Sequence, residues 1–281
     1  MTLAQATADL LELMARLRDP ETGCPWDLQQ DFRSIAPHTL EEACEVVDAI
    51  ERDDYGHLPE ELGDLLFQVV FYAQLGRERG LFDFETIVSG LVRKLVSRHP
   101  HVFPDGTLAG RRAPGAAPAP AAVKGNWERI KQGEREARGD TDPLAGIAPT
   151  LSALARSAKL QKRAARAGFD WPGWESVPAK IREELAEVEA AVAAGDQVQI
   201  REEAGDLLFA CVNLLRHLGV DGDAALRAAN RKFERRFRLM LDYLGGDAEA
   251  LRALSMDARE ALWRRAKKKD TGAEPPAASA D

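Results

Sequence analysis

The chain has 281 residues, of which 45% are hydrophobic and 30% are charged, and its formal net charge is −8 at pH 7. This length suffices for one large or two modest domains with a sizeable core. The acidic balance argues against a general binder of nucleic acids or anionic membranes, although it is compatible with a small polyphosphate held through a metal ion. We therefore expect no nucleic-acid partner.

Neither a targeting segment nor a membrane span is expected from the sequence. It has no run of about 18 apolar residues, which a transmembrane helix would need. Its N-terminus lacks the charged region and apolar stretch of a signal peptide. Its three cysteines fit no metal spacing and no disulfide framework, as expected in a reducing compartment. We therefore predict a cytoplasmic protein without a membrane partner.

Taken in chain order, the first half shows apolar residues at helical spacing and no alternating strand pattern. Its first acidic helix is expected to begin near Pro37, with Thr39 as the N-cap, and to end before Tyr55. The predicted helices of this half cover about residues 3–18, 37–54, 59–75 and 84–97. An all-α fold follows from this pattern.

A Pro/Ala/Gly-rich stretch without apolar periodicity separates the two halves. We predict a flexible insert over 104–123, after which the N-terminal domain, residues 1–103, returns at 124–135. The C-terminal domain is expected over 144–268. The polar, Ala/Pro-rich residues 269–281 are predicted to form a disordered tail.

A two-part acidic pattern occurs once in each half at a constant offset. The first copy reads E-E-x-x-E at 41–45 and E-E-x-G-D-L-L-F at 60–67. The second copy reads the same at 183–187 and 202–209, so that 183 − 41 and 202 − 60 both give 142. No residue is gained or lost across the pattern, which predicts two related domains.

The carboxylates of this pattern are spaced for one face of a helix. Within each copy the acids lie three or four residues apart, and apolar residues follow at helical spacing. Carboxylates that converge beside a core repel one another and raise each other's pKa unless a cation lies among them. Hard oxygen ligands suit Mg²⁺ or Mn²⁺ better than zinc. A solvated acidic helix face is the simpler interpretation, but repetition of the whole pattern in register argues against it.

Basic and aromatic residues follow each acidic pattern at a fixed distance. The repeated pairs are Lys94 and Lys232, Arg98 and Arg236, Trp127 and Trp263, and Lys131 and Lys267. The offset is 138 for the first two pairs (232 − 94) and 136 for the last two (263 − 127). Acids that hold a metal, with cations that neutralise phosphate oxygens, suit a metal–polyphosphate site. Ion pairing on helix surfaces is the simpler interpretation, and the absence of a G-x-x-x-x-G-K-[ST] loop excludes P-loop chemistry.

Longer motifs point to one family. They are C-P-W-D at 24–27, R-H-P-H-V-F at 98–103, K-x-Q-K-R-A-x-x-x-G-F-D-W at 159–171, N-x-K-F-E-R-R-F at 230–237 and W-x-x-x-K in each half. Together with the acidic pairs, they resemble the two-domain bacterial form of the MazG family of nucleoside triphosphate pyrophosphohydrolases, over about 5–103 and 124–268. The resemblance implies tandem all-α helical-bundle domains, a homodimer, and Mg²⁺-dependent hydrolysis of nucleoside triphosphates to monophosphate and pyrophosphate in nucleotide-pool housecleaning.

The resemblance also implies roles for individual residues. The four acids that hold the metal in the family fall on Glu42, Glu45, Glu61 and Asp64 in the first half and on Glu184, Glu187, Glu203 and Asp206 in the second. We expect the second set to be catalytic. Substrate binding is expected at Lys180, Glu183, Asn230, Lys232, Arg236, Trp263 and Lys267. A second phosphate-binding site is expected at Lys94, Arg98 and Lys131.

The two halves are unequal beside this pattern. Lys180 of the second half is in register with His38 (180 − 142), and Asn230 is in register with Val92 (230 − 138). The first half therefore keeps the acids but lacks polar groups that could hold a nucleotide. Our hypothesis is that the second half carries the main activity and that the first is weaker, regulatory or structural.

Two other interpretations remain open. A pyrophosphohydrolase of the same fold with one narrow substrate, dUTP or phosphoribosyl-ATP, would share the acidic core but not the two-domain layout. A non-catalytic helical dimer that binds nucleotide would have no reason to keep so many like charges near a core. The sequence determines neither the preferred nucleotide nor the number of metal ions.

Overall fold

A computed structural model of the chain describes residues 1–115, 118–137, 139 and 142–271, and some side chains within 120–137 lie outside this description. The described residues form twelve α-helices and no strand, which confirms the all-α prediction. The chain divides into two compact units, Met1–Glu134 and Arg135–Asp281. Each unit carries one copy of the repeated acidic pattern.

The acidic pattern of the first unit lies on two neighbouring helices. The first six helices are α1 (Leu3–Leu17), α2 (Pro25–Gln29), α3 (Phe32–Glu51), α4 (Leu58–Glu78), α5 (Phe84–Arg98) and α6 (Pro120–Ala137). Helices α3 and α4 pack against each other, while α1 and α5 pack against α4. The E-E-x-x-E half of the pattern is therefore on α3 and the E-E-x-G-D half is on α4.

The core of the first unit lies between α1, α3 and α4. Its buried cluster consists of Met14, Ile35, Val70, Phe71 and Leu75. Full burial of a side chain of this size contributes about 1.5–3 kcal/mol. These contacts fix the register of α3 against α4, and the register decides which acids of the two helices meet.

Helix α3 begins five residues before the predicted Pro37. Asp31 and Ser34 form a capping box, in which each side chain accepts a hydrogen bond from the other residue's backbone N–H. Pro37 therefore lies inside the helix, and the prediction of Thr39 as N-cap was wrong. The Thr39 hydroxyl instead forms a 2.8 Å hydrogen bond with the Tyr72 hydroxyl on α4. The error arose because proline is common in the first turn of helices.

The second unit repeats the pairing of two acidic helices. Its helices are α7 (Ala153–Arg166), α8 (Val177–Ala194), α9 (Gln197–His217), α10 (Gly222–Asp242), α11 (Ala248–Ala253) and α12 (Met256–Asp270). Helices α8 and α9 pack along each other, and α10 packs against α12. The buried Gln161 of α7 donates a 2.7 Å hydrogen bond to the Phe209 carbonyl, which ties α7 to α9.

The predicted domain boundaries remain predictions. Within the predicted insert over 104–123, residues 116–117 lie outside the described residues, and α6 already begins at Pro120. Within the predicted tail over 269–281, α12 continues to Asp270, and residues 272–281 lie outside the described residues.

Two smaller expectations concern cysteines and membranes. Cys24, Cys44 and Cys211 are free thiols, as their spacing indicated. Among the described helices, none combines the length and the apolar composition that a membrane crossing needs.

Candidate active site

In the second unit, carboxylates from α8 and α9 converge. Glu184 and Glu187 lie on α8 and Glu203 lies on α9, and one oxygen from each is within 4.8 Å of the others. A tight turn brings the two helices together, because Gly195 adopts a left-handed conformation with φ 70° and Asp196 caps α9. Glu184 is only 5% exposed, whereas Glu187 is exposed to solvent.

The first unit builds the same cluster with the residues in register. Glu42 and Glu45 on α3 and Glu61 on α4 also place one oxygen each within 4.8 Å of one another. Glu42 and Glu61 are half-buried and Glu45 is exposed. The structure therefore brings together three of the four predicted metal ligands in each unit.

The fourth predicted ligand of each unit lies outside these groups of three. Asp64 and Asp206 are both exposed, one turn after Glu61 and Glu203. Asp64 is close enough for its charge to raise the pKa of Glu42. Asp64 thus lies beside its cluster, and both aspartates are accessible to solvent.

Repulsion among the carboxylates is reflected in raised pKa values. Burial raises the pKa of Glu42, and the charges of Asp64 and Glu45 raise it further. Loss of hydration raises the pKa of Glu187, as do a hydrogen bond with Glu184 and the charges of Glu184 and Glu203. Carboxylates in this state gain from a shared cation, and three hard oxygen ligands within reach of one point fit Mg²⁺ or Mn²⁺.

Lys180 lies directly beside the second cluster. Its Nζ is 2.8 Å from a carboxylate oxygen of Glu183 and 2.8 Å from one of Glu184. These two hydrogen bonds raise the pKa of Lys180, so that the ammonium stays charged. The structure thus brings the predicted substrate residue Lys180 into contact with both Glu183, another predicted substrate residue, and the predicted metal ligand Glu184.

The first cluster has different neighbours. His38, in register with Lys180, has its Nδ1 3.5 Å from Glu41. Glu42 instead receives a 3.4 Å hydrogen bond from the amide of Gln68, which is 6% exposed. The Oε1 atom of Gln68 is buried without a hydrogen-bond partner among the described residues. Sequence reasoning missed Gln68, because its counterpart in the second unit is Ala210 (68 + 142) and the repeat gave no signal.

The two arginines predicted to bind phosphate are both held by carboxylates. Arg98 forms a bidentate pair with Glu134, with Nε 3.1 Å from Oε1. Arg236 donates from Nε to Asp270 at 2.8 Å, and Arg236 lowers the pKa of Asp270. The partners were not predicted, yet 270 − 134 gives 136, the offset already seen for Trp263 and Lys267. That offset could have revealed them.

The remaining predicted substrate residues lie on α10 and α12. The Trp263 ring is 5.5 Å from that of Phe233, so this tryptophan packs between the two helices. Asn230, Lys232 and Lys267 are exposed. In the first unit Lys94 is exposed, and the side chain of Lys131 lies outside the described residues.

The fold and the two clusters define an all-α protein in which each unit has a carboxylate cluster that could bind a metal ion. Residues 30–103 match the MazG nucleotide pyrophosphohydrolase domain, and residues 158–233 match phosphoribosyl-ATP pyrophosphohydrolase. Each match contains one copy of the acidic pattern.

The similarity to individual proteins extends over almost the whole chain. It is 47% identical over 263 residues to the nucleoside triphosphate pyrophosphohydrolase of Escherichia coli strain K12, covering 93% of this chain and 97% of that protein. It is 39% identical to the nucleoside triphosphate pyrophosphohydrolase/pyrophosphatase MazG of Thermotoga maritima, covering 92% and 94%. An uncharacterized protein of Bacillus subtilis is 36% identical over 91% of this chain and 50% of its own length. The chain therefore belongs to the MazG family of nucleoside triphosphate pyrophosphohydrolases, and it is a hydrolase.

Proposed function

We propose that the protein hydrolyses nucleoside triphosphates to nucleoside monophosphate and pyrophosphate in a Mg²⁺-dependent reaction, with the main activity in the second unit. The observation that carries the proposal is the convergence of Glu184, Glu187 and Glu203 beside Lys180. Family membership supplies the reaction class, and the carboxylate cluster supplies a site where such a reaction can occur.

The donor set of the second cluster fits Mg²⁺, with Mn²⁺ as an alternative. Glu184, Glu187 and Glu203 would hold the ion. Asp206, exposed one turn after Glu203, would complete the set. An ion held there would supply positive charge for phosphate oxygens and a lower pKa for bound water. Glu187 is exposed, so an ion that it helps to hold would be accessible to the water that attacks phosphorus.

The substrate-binding roles rest on the placement of charge around that cluster. Lys180 is the cation in contact with the carboxylates, and it is the group best placed to meet the polyphosphate. Lys232 and Lys267 are exposed on α10 and α12 and would neutralise further phosphate charge. Arg236 is bound to Asp270, and it would neutralise phosphate charge after that ion pair breaks.

Two differences between the units support the second as the main site. Lys180 contacts the buried Glu184, whereas His38 contacts Glu41 rather than Glu42, the in-register acid of its cluster. Asn230 offers an amide on α10 where α5 offers Val92. Both features give the second unit polar groups that could bind a nucleotide, and the first unit lacks these groups.

Solvent-exposed apolar side chains support a homodimer. Helix α5 exposes an i, i+3, i+4, i+7 stripe whose four side chains are 39–46% exposed: Val88, Leu91, Val92 and Leu95. In register on α10, Leu226 and Phe233 are more than 50% exposed. A single amphipathic helix face of this kind gains by packing against another, and a second copy of the chain would provide it.

We place this activity in the cytoplasm, as housecleaning of the nucleotide pool. The three free cysteines suit a reducing compartment, where disulfides do not persist. The net charge of −8 suits a protein whose substrate is a small anion bound through a metal rather than a nucleic acid.

One observation favours a second candidate substrate. Residues 158–233, which include the second cluster, match phosphoribosyl-ATP pyrophosphohydrolase rather than the MazG domain. Phosphoribosyl-ATP carries the same triphosphate chain, so the same carboxylates could serve it. Comparing kcat/KM for phosphoribosyl-ATP with that for ATP would decide between the two, because a ratio far above one would favour the narrow substrate.

The proposed reaction is tested by chromatographic product analysis with the eight common nucleoside triphosphates, with and without Mg²⁺. We expect monophosphate and pyrophosphate, with loss of both on addition of a chelator. Release of nucleoside diphosphate and phosphate would contradict the proposed bond. Turnover that persists in chelator would contradict the role of the metal.

A further inference from the structure

The buried carboxylate of the second cluster already has a cation bound to it. Lys180 is in the first two turns of α8, four residues before Glu184, and its Nζ is 2.8 Å from the Glu184 carboxylate. The Glu184 side chain is 7% exposed and that of Lys180 is 38% exposed. A charge-assisted bond to a buried carboxylate is stronger than a surface ion pair. The same ammonium also lies 2.8 Å from the exposed Glu183, so the lysine reaches toward solvent as well as toward the cluster.

The equivalent carboxylate of the first cluster has a neutral partner. Glu42 accepts from the amide of the buried Gln68 at 3.4 Å. His38, the register counterpart of Lys180, is 3.5 Å from the exposed Glu41. The units therefore differ at these two carboxylates, because a divalent ion meets a bound ammonium at Glu184 and an amide at Glu42. The other close partner in the first cluster is the imidazole of His57, whose Nε2 is 3.1 Å from Glu61.

We propose that Lys180 is a displaceable counter-cation of the second cluster. Its ammonium binds Glu184 while no divalent ion is present, and it moves to the polyphosphate when ion and nucleotide arrive together. Two consequences follow, both resting on the proposed metal role of the clusters. The first cluster binds a divalent ion at lower concentration than the second, and nucleotide raises the ion affinity of the second cluster but not of the first.

The reason is electrostatic competition. A divalent ion at the second cluster must break the bond between Lys180 and Glu184 and must overcome the repulsion of a nearby ammonium. Triphosphate oxygens offer Lys180 a new partner, so nucleotide and ion favour each other's binding. This coupling is reciprocal, since each ligand changes the affinity of the other by the same factor.

The test measures Mn²⁺ binding directly, from the loss of the free-ion signal in electron paramagnetic resonance. In E42Q/E61Q only the second cluster is intact, and in E184Q/E203Q only the first is intact. We expect the second cluster alone to bind Mn²⁺ more weakly than the first. Adding Lys180→Met to the E42Q/E61Q chain should tighten Mn²⁺ binding about tenfold, as expected for one charge-assisted bond.

The matched control is His38→Met in the E184Q/E203Q chain, which should change Mn²⁺ affinity by less than about twofold because His38 does not contact Glu42. An α,β-methylene triphosphate analogue should raise Mn²⁺ affinity at the second cluster with Lys180 in place and much less in the Lys180→Met chain. Lys180→Gln provides a second variant if Lys180→Met does not give a folded circular dichroism spectrum.

Unchanged or weaker Mn²⁺ binding in both Lys180 variants would overturn the proposal, as would a fall in melting temperature with no change in ion affinity. Absence of Mn²⁺ binding to the unsubstituted chain would overturn both this proposal and the metal role in the proposed function. The two failures are distinguishable, because only the second would be visible before any lysine is changed.

Discussion

Arg18 shows how one buried cation holds several parts of the first unit. Its side chain is 8% exposed and forms a two-point pair with Glu78 at 2.7 and 2.8 Å. It also donates to the Gln30 carbonyl at 3.2 Å and lies 5.4 Å from the centre of the Phe71 ring. The hydrogen bond from Arg18 lowers the pKa of Glu78. The stability of the unit therefore depends on the ionisation of this glutamate.

At this scale we predict a pH-dependent cost for Glu78→Gln. A carboxylate whose pKa is lower in the folded state stabilises the fold above its unfolded pKa and loses that contribution as pH falls through the folded pKa. Glu78→Gln should therefore lower the free energy of unfolding by about 1–2 kcal/mol at pH 7. The difference from the unsubstituted chain should shrink as the pH falls below 4.5, the ordinary pKa of a glutamate. Urea unfolding at pH 7 and in the acid range measures both the cost of the substitution and its decrease at low pH.

The control for this prediction is Glu21→Gln, since Glu21 is an exposed glutamate of the loop after α1. It should change stability by less than about 0.5 kcal/mol at either pH. A cost for Glu78→Gln that is the same at both pH values would contradict the assigned role of the charge.

Single residues also mark the limit of what the sequence could predict about the site. The three converging acids of each unit follow from helical spacing and from the repeat. Gln68 could not be predicted, because its contact with Glu42 depends on how α3 and α4 pack and because the repeat has alanine in its place. The partners of Arg98 and Arg236 stand 36 and 34 residues further along the chain, where local spacing carries no information, so that the repeat offset is the signal that could have revealed them.

Helix packing in the first unit depends on a glycine in the last turn of α4. A Cβ added at Gly76 would lie 2.6 Å from two ring carbons of Phe82 and 2.7 Å from its carbonyl oxygen. Contacts this short cannot be relieved by a side-chain rotation alone, because one of them is to the backbone. The turn from α4 into α5 therefore depends on the absence of a side chain at this position.

At the scale of the element we predict that Gly76→Ala destabilises the protein by about 1–3 kcal/mol, despite the higher helix propensity of alanine. Gly90→Ala in α5 is the matched control, since nothing lies within 4 Å of a Cβ added there. That control should be neutral or stabilising by up to about 1 kcal/mol. Urea unfolding compares the two, and equal effects would contradict the packing argument.

Element positions were largely accessible from the sequence. The helix predicted over 84–97 is observed as Phe84–Arg98, and that predicted over 59–75 is Leu58–Glu78. Apolar spacing and capping residues suffice for such elements, because each buries one face. The start of α3 was misplaced because two start signals compete within six residues, and the capping box at Asp31 prevails over Pro37.

For the whole molecule we predict a dimer that depends on the stripe of α5. Leu91→Asp places a charge in the middle of four exposed apolar side chains and should convert the dimer to a monomer. Leu81→Asp is the control, since Leu81 is 64% exposed but lies after α4, outside the stripe. Light scattering after gel filtration measures the mass of each. A monomeric unsubstituted chain would contradict the prediction, as would a dimer that Leu91→Asp leaves intact.

The central claim is that the second cluster performs the main hydrolysis of nucleoside triphosphates to monophosphate and pyrophosphate. The most direct measurement is the rate of pyrophosphate release with Mg²⁺ for the unsubstituted chain, Glu203→Gln and Glu61→Gln, which alter in-register acids of the two clusters. We predict that Glu203→Gln lowers kcat about a hundredfold or more and that Glu61→Gln retains most of it. Full turnover in Glu203→Gln together with loss of turnover in Glu61→Gln would contradict the claim and transfer the activity to the first unit.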